Sequence, residues 1–315
     1  MNLAESTLGD FVSAVAHNLQ RVASHIEAQV LKSPVVNTDD TGLRVLDRDH
    51  PKGIKRGHIW TYVAPGQWVV YRYTPDWRGE HPCTVLAGFG GTIQSDGYAG
   101  INPLFTAPEA AVRAGCMMHC RRYFYNAYQA GDIRAGVALA LIADIYVIER
   151  DAKERLATDA ERLTMRQERS LPILLRLKKW IDSIEGQAPP KTDMGKAVCY
   201  AKNQWPALQV PFRDGRLEID NGEAERQLKV LATGRKNWLF AGSDAGGERA
   251  ATILTVLGTA LMHGLDPLAY LTDILRKIAA GISGSRLDEL MPVRWAQDHG
   301  KQAHTEQAPV PRLVG

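Results

Sequence analysis

The stretch Val35-Val36-Asn37-Thr38-Asp39-Asp40-Thr41-Gly42-Leu43-Arg44-Val45-Leu46 decides how this chain is to be read. Valine, threonine and leucine dominate it, a composition that suits a pleated, half-buried surface. Two runs of similar character follow at residues 58–64 and 68–74, rich in Val, Ile, Tyr and Trp and separated by Gly or Pro clusters. The spacing predicts three sequential antiparallel strands. In front of them Phe11, Val12, Val15, Leu19, Val22, Ile26 and Val30 recur at steps of three and four, the apolar face of an amphipathic helix. Pro34 marks its end.

Downstream, a short helical link is expected at residues 84–89, ending at Gly88 and Gly90. A fourth strand over 92–95 runs into Asp96, and a short fifth strand covers 112–117. From 121 to 180 the periodicity is helical, through Val137, Leu141, Ile145 and Ile148 and later Leu171, Leu174, Leu175 and Leu177. A loop at 186–190 and a helix at 194–204 come next. Asp220 or Asn221 is placed to cap a helix running to Leu231, since either side chain can accept from the first free backbone N–H groups. Helices near 250–263 and 267–280 follow, then a polar tail. Strand, strand, strand, helix, strand, helix, strand, helix is the order of an RNase H-like fold. The expected class is therefore α/β with an α+β mixed sheet, an RNase H-like core broken by an all-helical insertion. The expected divisions are an N-terminal helix (1–34), core (35–120), insertion (121–205), core (206–296) and a disordered tail (297–315).

The 315 residues exceed the usual size of one simple domain. Hydrophobic and charged fractions of 45% and 23% exclude collagen-like, coiled-coil and wholly disordered chains. A formal charge of +3 permits an anionic partner such as nucleic acid without demanding one. Four scattered cysteines do not make a disulfide scaffold. No basic-then-apolar leader opens the chain, and the apolar stretch 135–148 is interrupted by Asp144 and too short to span a bilayer. A soluble, cytoplasmic protein with no membrane partner is expected.

On the RNase H-like order, Asp39 on the first strand lies beside Asp96 at the end of the fourth. Two carboxylates held together repel, and hard divalent cations with oxygen ligands relieve that repulsion. Glu225 on the capped helix is the candidate third acid. Asn221, Glu225 and Lys229 stand four residues apart as one polar face, while Ala224, Leu228 and Leu231 form the packing face. Each acid also has a structural reading: Asp39 or Asp40 as a strand-end turn residue, Asp96 as the acid of an Asx turn before Gly97, Glu225 as a surface partner of Lys229.

Four segments add motif text. Asp39-Asp40-Thr41, Gln94-Ser95-Asp96-Gly97-Tyr98-Ala99-Gly100, Ile219-Asp220-Asn221 through Ala224-Glu225-Arg226, and Gly234-Arg235-Lys236-Asn237-Trp238-Leu239-Phe240-Ala241-Gly242-Ser243 together resemble the insertion sequence 66 family of DDE transposases. Leu287-Asp288-Glu289-Leu290-Met291-Pro292 looks like that family's C-terminal element. The resemblance implies a catalytic triad of Asp39, Asp96 and Glu225 with two divalent cations, Mg²⁺ or Mn²⁺. It implies DNA as partner, both element ends and target, a homo-oligomer assembled on that DNA, and accessory proteins of the same element. Family members have Asp-Glu-Thr at the first acid where this chain has Asp39-Asp40-Thr41. They also carry an N-terminal extension with a cysteine-rich zinc-binding segment, so a core without terminal-repeat recognition is expected.

Cys116-Met117-Met118-His119-Cys120 invites a zinc reading with His81 and Cys83, but structural zinc shows paired short spacings on both sides. The Cys-x-x-His element also resembles one that follows the second acid in many DDE transposases. The alternative is a buried Cys116 and a hydrogen-bonded His119. Arg121 and Arg122 before Tyr123 and Phe124, Arg226, Lys229, and Arg235 and Lys236 near Trp238 combine charge with aromatics, as contact with a nucleic-acid backbone requires. The glycine clusters at 88–91 and 242–247 lack the lysine and spacing of a nucleotide-binding loop. Metal-dependent strand cleavage and transfer is the expected activity; a structure-specific nuclease and a non-catalytic DNA-binding remnant are the alternatives.

Overall fold

A computed structural model describes residues 4–106, 110–234 and 239–299. Helix α1 spans Glu5–Val30 and is followed by strands β1 Val35–Leu46, β2 Ile54–Ala64 and β3 Trp68–Thr74. Helix α2, Glu80–Val85, leads to β4 Thr92–Gln94, a 3-10 segment Ala99–Phe105 and β5 Val112–Ala114. Next come α3 Met117–Gln129, α4 Ala135–Glu154, α5 Asp159–Met165, a π-helical turn Arg166–Ser170, α6 Leu171–Ile184, α7 Asp193–Asn203 and α8 Trp205–Gln209. Helices α9 Gly222–Gly234, α10 Asp244–Met262, α11 Pro267–Ala279 and α12 Pro292–His299 complete the order. Parallel and antiparallel strand pairs among many helices make this a mixed α/β protein. The chain forms two compact units, one built from the described residues up to Val85 and from Arg226 onward, the other from Leu86–Glu225.

In the first unit the strands are antiparallel in the order β3-β2-β1, with Asp39 opposite Thr61 and Asp40 opposite Trp60. Strand β2 is buried continuously from Gly57 to Ala64, which is why it shows no strict apolar–polar alternation; the buried polar residues His58 and Thr61 are partnered by Asp40 and by the Asp39 carbonyl. Helix α1 packs on β3 and α10 and buries Leu19, Val22 and Ile26 completely. Phe11 and Val12, expected on the same apolar face, are exposed.

The outer edge of β3 would invite another strand to pair with it. Two threonines of α10 occupy that edge instead. Thr259 Oγ1 accepts from the Val69 N–H and Thr255 Oγ1 from the Tyr71 N–H; the Thr259 hydroxyl donates back to the Val69 carbonyl at 3.1 Å, while the Thr255 hydroxyl donates to the Ala251 carbonyl of its own helix at 2.9 Å. Gly258 lets the helix come this close, because a Cβ there would stand 2.9 Å from Val69 Cγ1.

In the second unit β4 and β5 are parallel, with Ile93 opposite Arg113. From Met117 to Arg213 the regular structure is entirely helical. Its core joins Phe124, Ile142, Ile145, Leu174, Leu177 and Ile181, each contributing about 1.5–3 kcal/mol on burial. Arg166 is wholly buried in it. Its guanidinium donates from Nε and Nη2 to the two Glu149 oxygens at 2.7 and 2.6 Å, and from Nη1 to the Pro211 and Asp214 carbonyls.

Several element ends differ from expectation. Strand β5 stops at Ala114, not at 117, because Cys116 and Met117 open helix α3, and the Met117 N–H goes to the Ile219 carbonyl. Helix α2 lies four residues earlier than expected and takes Pro82 into its first turn, where a missing N–H costs nothing. Residues 297–299 belong to α12. The expected disordered tail otherwise lies outside the described residues. None of the helices among the described residues is long and apolar enough to cross a membrane.

Candidate functional site

Strand β4 is buried throughout and delivers the chain to Asp96 in a tight turn. Asp96 Oδ1 accepts from the Tyr98 N–H at 2.9 Å. Gly97 sits at φ +100, and a Cβ there would meet the Gln204 side chain at 2.8 Å, so glycine is needed on both counts. The Tyr200 hydroxyl donates to the Asp96 carbonyl at 2.7 Å, and its ring stacks on Tyr123 with centroids 4.6 Å apart.

The segment that leads into α9 is tied to the same strand pair. The Gln94 amide donates to the carbonyls of Gly115 and Glu218. The Asn221 N–H donates to Cys116 Sγ at 3.2 Å. Asp220 accepts from the Gly222 N–H at 2.8 Å and from the Tyr146 hydroxyl at 2.7 Å, so it anchors the helix entry as an Asx turn. Glu225 is thereby placed in the first turn of α9 against the first turns of α3. There His119 Nδ1 lies 3.6 Å from Glu225 Oε1, and Arg122 Nη2 lies 3.3 Å from both Glu225 oxygens. Arg122 Nη1 stands 3.2 Å from His119 Nε2. A guanidinium only donates, so Nε2 accepts and the neutral ring carries its proton on Nδ1.

Burial, then the Arg122 charge, push His119 toward its neutral form, while the carboxylates of Asp96, Glu225 and Asp220 pull the other way and lose. Glu225 is the acid that lies beside the imidazole, and the charges of Asp96 and Asp220 act on it through space. Burial pushes the Cys116 thiol up to about 12, so it is no nucleophile at neutral pH. Arg113 on β5 is half-buried, donates to Asn102 Oδ1 at 2.7 Å, and its Nε and Nη2 make no hydrogen bond. Burial lowers its pKa and the nearby Asp96 opposes that.

Of the other residues singled out in the sequence, Arg121 is exposed and lies over the Tyr125 ring. Asn221 is fully buried and is not part of a polar face, whereas Ala224, Leu228 and Leu231 do form the packing face. Arg226 and Lys229 are exposed on α9 and fall within the first unit. Arg235, Lys236 and Trp238 lie outside the described residues. His81 pairs with Asp76 at 2.7 Å, and the companion that the structure gives Cys116 and His119 is Glu225. Asp220 as an anchor, Arg113 and Tyr200 were not anticipated as site residues. Only Asp220 left a trace, as a capping residue.

In the first unit, Asp39 and Asp40 lie on β1. Asp40 Oδ2 is 2.6 Å from His58 Nδ1, and Oδ1 accepts from Trp77 Nε1 at 2.8 Å. The His58 and Trp77 rings are stacked, so both Asp40 oxygens serve a local cluster. Asp39 Oδ1 accepts from the Asp40 N–H and its carbonyl accepts from Thr61 Oγ1.

The described molecule is thus a mixed α/β protein with a carboxylate and histidine cluster where a helix leaves a parallel strand pair. A narrower identification comes from sequence relationships. The family described as "Transposase IS66 family" matches residues 1–249, and the "IS66 C-terminal element" matches 255–293; the chain belongs to the IS66 transposase family. It is 35% identical over 94% of its length to "Uncharacterized protein y4hP", and 30% identical over 95% to "Uncharacterized protein y4qI", both from Sinorhizobium fredii. The chain spans 57% and 58% of the length of those two curated relatives.

Proposed function

We propose that this chain is the catalytic core of a DNA transposase that cleaves the ends of an insertion sequence and joins them to target DNA, with Asp39, Asp96 and Glu225 as the three acids. The observation that carries the reading is the seating of Glu225 beside His119 and Arg122 at the start of α9, held there by the Asp220 turn and by the Asn221 N–H on Cys116 Sγ. Family membership supports DNA as substrate. The run of three antiparallel strands, a helix and a parallel pair supports an RNase H-like core.

The donors fit a hard cation. Asp96 and Glu225 offer carboxylate oxygens, and a positive group, Arg122, already stands over Glu225. Mg²⁺ or Mn²⁺ held by the three acids would lower the pKa of an attacking water and offset the charge on the departing 3′ oxygen. The chain's own residues do the rest. Tyr200 and Gly97 fix the turn that aims Asp96. Tyr146 and Asp220 fix the start of α9 and hence Glu225. Arg122 is half exposed and can leave Glu225 for a phosphate oxygen, where a guanidinium bonds well. Asp40 is committed to His58 and Trp77, which favours Asp39 as the first acid.

No covalent enzyme intermediate is required, consistent with the protonated, buried Cys116. A strand-transfer assay with a pre-cleaved element end tests the proposal. Joining of that end to target DNA is expected; a protein that cuts DNA and never joins it is a nuclease, and one that binds in a salt-sensitive way without cutting is a remnant.

A further inference from the structure

We propose that Cys116, His119 and Glu225 form a site for a borderline-soft divalent cation, Zn²⁺ or Co²⁺, separate in chemistry from an oxygen-ligated Mg²⁺ pair. Their ligand atoms all lie within 4.8 Å of one another, and among the described residues no other group of three His, Cys, Asp or Glu side chains does this. Cys116 precedes the first turn of α3 and His119 follows one turn on, so their i, i+3 spacing puts both on one side of the helix. The Asn221 N–H, bonded to Cys116 Sγ, holds the start of α9 against that side and brings Glu225 to complete the set.

Zinc lies about 2.0–2.3 Å from thiolate, imidazole and carboxylate ligands. Tetrahedral ligands at those lengths stand roughly 3.3–3.8 Å apart. With every pair within 4.8 Å and Glu225 Oε1 already 3.6 Å from His119 Nδ1, no separation has to close by more than about 1–1.5 Å, a movement within reach of side-chain rotation. The buried His119 Nδ1 makes no hydrogen bond, and a metal ion would give it a partner. On binding, the Cys116 S–H bond breaks, an S–metal bond forms and the proton passes to solvent. The proton on Nδ1 moves by exchange with solvent to Nε2, and Arg122, with 52% of its side chain exposed, swings away. Water takes the fourth position. Thiolate and imidazole select zinc-like ions over Mg²⁺. The site rests on this geometry and not on the transposase reading, although an ion held there would compete for Glu225.

The test is a Co²⁺ titration of the DNA-free protein, followed in the thiolate-to-cobalt charge-transfer band, with Zn²⁺ then used to displace the cobalt. The band should appear with one equivalent, survive in Cys83→Ser and Cys199→Ser, and vanish in Cys116→Ser. Glu225→Gln and His119→Gln should each weaken Zn²⁺ by about tenfold or more, the scale on which ligand-shell changes act. No band in the unaltered protein, or a band that persists in Cys116→Ser, overturns the proposal. If Cys116→Ser fails to fold by circular dichroism, Glu225→Gln decides, and an unchanged Zn²⁺ affinity there overturns it. No DNA enters the titration, so its failure leaves the strand-transfer proposal standing, and the reverse also holds.

Discussion

Replacing Asp40 by Ala should cost stability, whereas replacing Asp39 by Asn should cost activity. Asp40 accepts at 2.6 Å from His58, which is 6% exposed, and at 2.8 Å from the Trp77 indole, which is 50% exposed. Hydrogen bonds to charged groups contribute about 1.5–3 kcal/mol each, and the exposed Trp77 bond belongs at the low end. Asp40→Ala should then cost about 2–4 kcal/mol. With a urea slope of about 2–3 kcal/mol per molar, the unfolding midpoint falls by roughly 1 M. Asp39→Asn keeps the oxygen that accepts from the Asp40 N–H, so its midpoint should move by less than about 0.5 kcal/mol equivalent while Mg²⁺-dependent strand cleavage disappears. The assays are urea unfolding followed by tryptophan fluorescence, and cleavage of an element-end duplex. An Asp40→Ala protein as stable as the original refutes the structural half. Cleavage retained by Asp39→Asn and lost in a folded Asp40→Asn refutes the catalytic half.

Arg166→Met should destabilise the second unit by about 3–5 kcal/mol, because it leaves the Glu149 carboxylate buried without its cation; a change under about 1 kcal/mol in thermal unfolding contradicts this. Gly215→Ala should also destabilise that unit, by about 1–3 kcal/mol, since the new Cβ collides with the Asp159 backbone carbonyl; unchanged thermal unfolding contradicts this. For pH, bonds from Lys55 and Tyr73 hold the Asp244 carboxyl below its ordinary value of 3.8. That stabilisation is complete above pH 3.8 and is lost as pH falls through the folded value, so Asp244→Asn should flatten the acid limb of a stability profile; an unchanged limb contradicts the assignment.

The first three strands were legible because β-branched and aromatic residues mark a covered sheet. The start of β2 was not, since Lys55 and Arg56 look like loop residues. Lys55 is tolerated there because Asp47 and Asp244 pair with it. Strand β5 was read too long for the opposite reason: Cys116 and Met117 are apolar and buried, but Cys116 is the N-cap residue of helix α3 and Met117 belongs to the helical core. The packing face of α9 was readable from its period. Asn221, spaced four residues from Glu225, was misplaced because spacing does not reveal that the Cys116 thiol covers the helix entry. Glu225, Cys116 and His119 were each visible in the sequence. Their gathering was not, because α3 and α9 are about a hundred residues apart along the chain. Asp220 and Tyr146 pair across 74 residues, which no local pattern encodes.

The most direct measurement is Mg²⁺-dependent joining of a pre-cleaved element end to target DNA by the unaltered protein and by folded Asp39→Asn, Asp96→Asn and Glu225→Gln. Product is expected from the first and, from each of the three variants, a loss of at least about a thousandfold, the scale of removing a group that acts as part of a catalytic unit. Joining at near-normal rates by any one of those variants would contradict the triad assignment.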